Sequence, residues 1–160
     1  MLCSYLKAAD PAFNGRGYRI FDSFAGLSEP KSEDTIDDKD SNAVRLQRMS
    51  QQGAFAASLD EVKRNLAEYP CIEYRQGWIP ESFPDEPQAR YRFVHIDVDL
   101  YQPTLDSLEY FYPKLVTGGY IVSDDYSWPG ARKAIEVFVL RHRLKLRTTP
   151  TGQAYFKRGR

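Results

Sequence analysis

The spacing of hydrophobic positions changes period several times along the chain, and each change marks a predicted element. "YRIFDSF" (18–24) is a short β-rich run that ends in Asp22 and Ser23. "SLDEVKRNLAEY" (58–69) places Leu59, Val62, Leu66 and Tyr69 on one helical face, with Ser58 and Glu61 as a capping box. "CIEYRQGW" (71–78) and "YRFVHID" (91–97) predict strands. "PTLDSLEYFYPKL" (103–115) predicts a helix whose buried stripe is Leu105, Leu108, Tyr112 and Leu115, stopped by Gly118 and Gly119. "YIVSDD" (120–125) returns to a strand. Pro129 opens a helix with Ala131, Ala134, Ile135, Phe138 and Val139 on its apolar stripe. "LKLRTT" (144–149) and "QAYFKR" (153–158) are the last strands, and the short turn Pro150–Gly152 makes them antiparallel.

Strand–helix–strand alternation over 71–124 implies an α/β sandwich: a mostly parallel sheet, helices on both faces and right-handed crossovers. The whole of 1–160 reads as one domain. Within it, "SEPKSEDTIDDKDSN" (28–42) is an exposed acidic loop and Ala43 to Gln52 a helix, so that 29–57 is expected to be mobile, its acids solvated.

In parallel sheets, ligands bind at the carboxyl ends of the strands. Asp22, Asp97, Asp124 and Asp125 all lie at such predicted ends and can converge on one rim. Three carboxylates, Asp97, Asp124 and Asp125, repel one another unless a cation sits between them, and oxygen-only ligation favours a hard ion such as Mg²⁺. Asp99 suits the N-cap of the helix that follows it. Asp22 is placed as an acid that accepts hydrogen bonds from the ribose of an adenosine cofactor, and Trp78 as a flat wall or a packing residue. His95, inside a strand, reads as a buried, hydrogen-bonded histidine, and His142 as a favourable charge at a helix end.

Charge narrows the partners. Lys+Arg and Asp+Glu are 22 each, which offers no global field for nucleic acid or an anionic membrane. No apolar run approaches a bilayer span, and "MLCSYLKAAD" has no signal-peptide pattern. Cys3 and Cys71 match no metal spacing and read as buried free thiols in a reducing cytoplasm, the expected location.

"FDSFAGL" (21–27), "QGWIPESFP" (76–84), "HIDVDLYQPTLDSLEYFYPKLVTGGYIVSDDY" (95–126) and "PGARKAIEVF" (129–138) together resemble the macrocin O-methyltransferase family (TylF/MycF type). The block from His95 to Tyr126 is the most specific part. The resemblance implies a Rossmann-like class I methyltransferase with an antiparallel last strand, using S-adenosylmethionine and Mg²⁺. It implies Asp97, Asp124 and Asp125 as metal ligands, and Asp97, with Asp99 as second candidate, as the base. It implies Asp22, with Ser23, Gly77 and Trp78 nearby, at the cofactor. The implied acceptor is a sugar or polyol hydroxyl of a small molecule, glycosylated natural products included, and a homo-oligomer stays open. Family members carry an earlier strand and a Gly-rich loop ahead of "FDSF". Here "MLCSYLKAAD" reads as the rest of a helix, followed by a turn at Asn14 to Gly17, so the expected sheet is N-terminally truncated and lacks its central strand. Two other readings stay open: a catalytically inactive, N-terminally truncated remnant or fragment of that family, and, more distantly, a glycosyltransferase that uses "IDVDL" as a DxD motif.

Overall fold

The computed structural model describes residues 2–35 and 51–159. The helix expected from Ala43 to Gln52 therefore falls almost wholly outside the described residues. The chain divides into two units, Met1–Gly26 with Phe55–Phe83, and Leu27–Ala54 with Pro84–Arg160.

In the first unit, α1 (Leu2–Ala9), β1 (Arg19–Asp22), α2 (Leu59–Asn65) and β2 (Glu73–Gln76) surround a small core. β1 and β2 pair in parallel from Arg19 opposite Glu73 to Asp22 opposite Gln76. Cys3, Tyr69 and Ile72 are buried there, with Phe13, Tyr18, Ile20, Leu66 and Tyr74 packed around them. Cys71, expected to be buried, is exposed. Its backbone N–H donates to Asn14 O at 3.0 Å, so the main chain at Cys71 does the tethering. Ser58 Oγ accepts from Glu61 N at 3.3 Å, the predicted cap of α2. The helix ends earlier than its apolar spacing suggests. Pro70 disfavours helical geometry at Tyr69, and a turn with Tyr69 N donating to Leu66 O at 2.8 Å delivers the tyrosine to the core.

In the second unit, β3 (Tyr91–Ile96), β4 (Leu115–Ser123), β5 (Arg147–Thr148) and β6 (Ala154–Lys157) form a sheet in the order β3-β4-β6-β5. β3 and β4 are parallel, and β6 runs antiparallel to both β4 and β5, as the short final turn required. Helices α3 (Tyr101–Phe111) and α4 (Pro129–Arg141) pack on each other. Val94, Ile96, Ile121 and Phe156 alternate inward from the strands, while Leu108, Ile135 and Phe138 are buried from the helices. Phe138 stacks on Phe156 at 5.9 Å between ring centroids and meets Tyr112 edge-on at 5.4 Å. Among the described residues no strand joins β1–β2 to the four-stranded sheet, and no helix is long and apolar enough to cross a membrane.

Two expectations about α3 need correction. Its buried face is Thr104, Ser107, Leu108 and Phe111: of the expected stripe Leu108 belongs to it, Leu105 and Tyr112 are only partly buried, and Leu115 is buried as the first residue of β4. The helix starts at Tyr101 and packs on α4, where Gly130, Ala131 and Ala134 are buried. Gly118 and Gly119 do not stop it. Pro113, which has no N–H to continue the ladder, follows the last helical residues, and a 3-10 turn covers Tyr112–Lys114. The two glycines lie inside β4, where Tyr91 pairs with Leu115 but Phe93 with Tyr120. A Cβ at Gly119 would come within 2.9 Å of Arg92 O, so the irregular register needs a residue without a side chain there.

Phe138→Ala is expected to cost about 3–5 kcal/mol, because the ring is fully buried among aromatic neighbours. Urea unfolding of the two proteins, compared at equal m-value, measures it.

Candidate functional site

The acidic centre follows from the parallel pairing of β3 with β4. Ile96 and Ser123 are register partners, so Asp97 and Asp124 leave the same end of adjacent strands. Asp124 N donates to Ile96 O at 2.9 Å and extends the pairing by one step. Asp125 then turns inward, 4% exposed. Its Oδ2 accepts from Val98 N at 2.9 Å and from Asp99 N at 3.0 Å. These two bonds tie the loop after β3 to the loop after β4. Asp99 adopts a φ of +58°, a conformation that aspartate tolerates better than most residues.

Asp97, Asp99 and Asp125 each bring one carboxylate oxygen within 4.8 Å of the others. Of the residues singled out from the sequence, the structure thus joins Asp97 and Asp125 with Asp99. Asp124 falls outside that group of three. Its Oδ1 accepts from Gln153 Nε2 and lies 3.9 Å from His95 Nε2. Gln153 went unnoticed in the sequence because only the antiparallel pairing of Ser123 with Ala154 brings it beside Asp124. His95 is partly exposed rather than buried, and its Asp124 contact lies beyond ordinary hydrogen-bond distance.

Asp99 does not cap the helix it precedes: the N-cap residue of α3 is Leu100, which makes no side-chain cap bond. The N–H of Tyr101, the first helical residue, instead donates to Asp34 Oδ1 at 2.6 Å. Asp34 stands in the acidic loop that the sequence marked as solvated.

Crowding sets the protonation of the centre. Burial first, and then the neighbouring Asp97, raise the Asp99 carboxyl to about 6. Burial first, and then Asp99, raise Asp125 to about 8. The two groups titrate as a pair. A cation would replace the proton that the cluster otherwise retains.

The residues expected at a cofactor are in the first unit. Asp22, Ser23, Gly77 and Trp78 all stand at the carboxyl ends of β1 and β2, where Gly77 N donates to Asp22 O at 3.0 Å. Asp22 is exposed, and its Oδ1 accepts from Phe24 N at 2.7 Å. Ser23 Oγ is used within the turn: it donates to Gly26 O at 3.0 Å and accepts from Ala25 N at 3.1 Å. Gly77 has a φ of +149°, and a Cβ there would sit 3.1 Å from Ser82 Cβ, so the turn requires glycine. The Trp78 side chain is exposed. His142 ends α4, 3.8 Å from Glu109 and against the Phe138 ring at 4.3 Å.

Asp125→Ala is expected to destabilise the chain by about 2–3 kcal/mol, because two amides lose their acceptor, whereas Asp125→Asn keeps a carbonyl acceptor and removes repulsion. Chemical unfolding in EDTA should place Asp125→Asn well above Asp125→Ala. Asp99 and Asp125 bind protons more tightly folded than unfolded, where 3.8 is the ordinary value. Their contribution to stability is therefore fully present below that value and is lost as pH rises through about 6 and about 8. In EDTA the Tm should fall across this window, and Asp125→Asn should flatten the slope.

Comparison with known proteins bears on the family and the fold. The macrocin-O-methyltransferase (TylF) family profile matches residues 1–154. An 8-demethyl-8-(2,3-dimethoxy-alpha-L-rhamnosyl)-tetracenomycin-C 4'-O-methyltransferase of Streptomyces olivaceus is 30% identical over 137 residues, covering 82% of this chain and 51% of that protein. A mycinamicin III 3''-O-methyltransferase of Micromonospora griseorubida is 28% identical over 146 residues, covering 88% of this chain and 56% of that protein. The structure of the O-methyltransferase NovP superposes with a TM-score of 0.73 at 27% identity, covering 97% of this chain and 64% of that one. The chain spans about half the length of the curated relatives it matches. With its β3–α3–β4 crossover and antiparallel last strand, it has the Rossmann-like α/β fold of class I methyltransferases and belongs to the macrocin O-methyltransferase (TylF) family.

Proposed function

We propose that this chain carries the acidic centre and cofactor-binding residues of a Mg²⁺-dependent S-adenosylmethionine O-methyltransferase acting on a sugar or polyol hydroxyl of a small molecule. The observation that carries the reading is the convergence of Asp97, Asp99 and Asp125 at the carboxyl ends of β3 and β4. Family membership supports methyl transfer, and the relatives above are O-methyltransferases by name.

The donor set suits a hard cation. It offers only oxygen, and Asp99 and Asp125 are held above the ordinary carboxylate range by burial and by their acidic neighbours. Asp97 and Asp125 would hold the ion with Asp99 or Asp124 as third ligand. Asp124, the residue that the family resemblance implies, has one carboxylate oxygen taken by Gln153. When bound, such an ion lowers the pKa of a hydroxyl beside it. Asp97, exposed at the edge of the cluster, would take the hydroxyl proton on its carboxylate. Asp99 is the second candidate for that role. Asp125 acts through its two amide bonds, holding both loops in place. Asp22, exposed at the end of β1, would accept from the cofactor ribose, with Trp78 beside it as an aromatic wall.

Calorimetric titration of S-adenosylmethionine, with Mg²⁺ and again with EDTA, tests the reading. One-site saturable binding is expected, followed by methylation of a glycosylated acceptor that EDTA abolishes. Asp97→Asn should lower kcat about 100-fold or more while cofactor affinity holds. Comparing Asp99→Asn with Asp124→Asn for loss of Mn²⁺ affinity identifies the third ligand. A folded sample that binds no cofactor in either buffer would overturn the proposal for this chain, leave its family standing and favour an inactive remnant or fragment.

A further inference from the structure

Asp34 makes contacts that neither the family resemblance nor the proposed chemistry requires. It ends a 3-10 turn, Ser32–Asp34, and its Oδ2 accepts from Lys31 N at 2.9 Å. Its Oδ1 accepts from Tyr101 N at 2.6 Å, at the start of α3. The same oxygen lies over Gly130 at the start of α4. A Cβ on Gly130 would collide with Asp34 Oδ1 and come within 3.0 Å of Tyr101 N. One carboxylate thus sits where two helices begin, and each helix follows one of the two acid clusters. Lys133 of α4, its Nζ 5.6 Å from the Tyr101 ring centroid, links the same helices on the outside.

Helix starts have orphan N–H groups, and a carboxylate there is favoured by both hydrogen bonding and the helix dipole. The local candidate to serve α3 is Asp99, two residues before Tyr101. In the structure Asp99 is not used that way, and its carboxylate joins Asp97 and Asp125. We propose that Asp34 is a positioning residue of the acidic centre: by serving the start of α3 it frees Asp99 to turn into the cluster, and its seat is the space left by Gly130. Without Asp34, the Asp99 carboxylate has an unsatisfied helix end to return to, and the Val98 and Asp99 amides lose their fixed alignment with Asp125. A residue of the acidic loop thereby decides the shape of a site formed more than sixty residues later in the sequence.

The inference rests on the acidic cluster being the working centre, but its test needs no cation. Amide hydrogen exchange is measured on the full chain in EDTA for wild type, Asp34→Ala, Asp34→Asn and Gly130→Ala. In Asp34→Ala, exchange at Val98 and Asp99 should accelerate about tenfold or more, as for loss of a charge-assisted bond, while Ile121 in β4 stays as in wild type. Asp34→Asn keeps a carbonyl acceptor and should restore slow exchange. Gly130→Ala, which expels the carboxylate without removing it, should reproduce Asp34→Ala and keeps the test decisive if Asp34→Ala fails to fold. Wild-type exchange at Val98 and Asp99 in folded Asp34→Ala or Gly130→Ala would overturn the proposal. Failure of Mn²⁺ or cofactor binding would leave this result untouched, so the two readings fail separately.

Discussion

The second unit is organised around a conflict between hydrogen bonding and charge. Asp125 must be buried for its Oδ2 to reach the amides of Val98 and Asp99. Burial also brings it against two other carboxylates. A buried anion is tolerated only when it is paired or well bonded; here two amides supply part of the compensation, and burial together with the neighbouring acids favours the protonated form of Asp125. The loops after β3 and β4 owe their mutual placement to this arrangement. It leaves acidic oxygens facing one another at the end of a rigid sheet, where a divalent ion would relieve what the amides do not.

Rigidity behind the centre comes from ordinary packing. Parallel pairing of β3 with β4 brings the two acid clusters to adjacent strand ends, and Phe138, Leu108 and Ile121 hold the helices to the sheet beneath them. Small residues at the start of α4 admit a carboxylate from elsewhere in the chain. The first unit solves a different problem with shorter means. A parallel pair of four-residue strands ends in two turns, one built on Asp22 and Ser23 and the other on Gly77. There the backbone geometry is unusual, with Phe24 at a φ of +55° and Gly77 at +149°, and an exposed acid and an exposed indole stand at the strand ends.

Much of this was legible from the residues. Alternation and helical spacing located β1 to β4, α4 and the antiparallel final pair, because each buries a face whose period survives in the sequence. The acids at strand ends marked a candidate site, since strand ends in a parallel sheet are where ligands collect. What stayed hidden depended on neighbours far along the chain. The buried face of α3 is set by its packing on α4, a helix far along the chain, and there Thr104 and Ser107 are buried while Leu105 is only partly so. Asp99 looked like a cap because the local pattern contains no competitor, and Asp34 was invisible as one because 67 positions separate it from Tyr101.

The sequence by itself determined the family, the α/β class and the set of acids from which the centre is built. These rest on residue types and local periods, which do not depend on contacts. Only the tertiary structure decided which acids meet. Register between β3 and β4 aimed Asp125 at the Val98 and Asp99 amides, pairing of β6 with β4 brought Gln153 to Asp124, and the space over Gly130 admitted Asp34. Each is a contact between segments distant in the chain, set by strand register and by the absence of a single Cβ, and neither quantity is written in any local stretch.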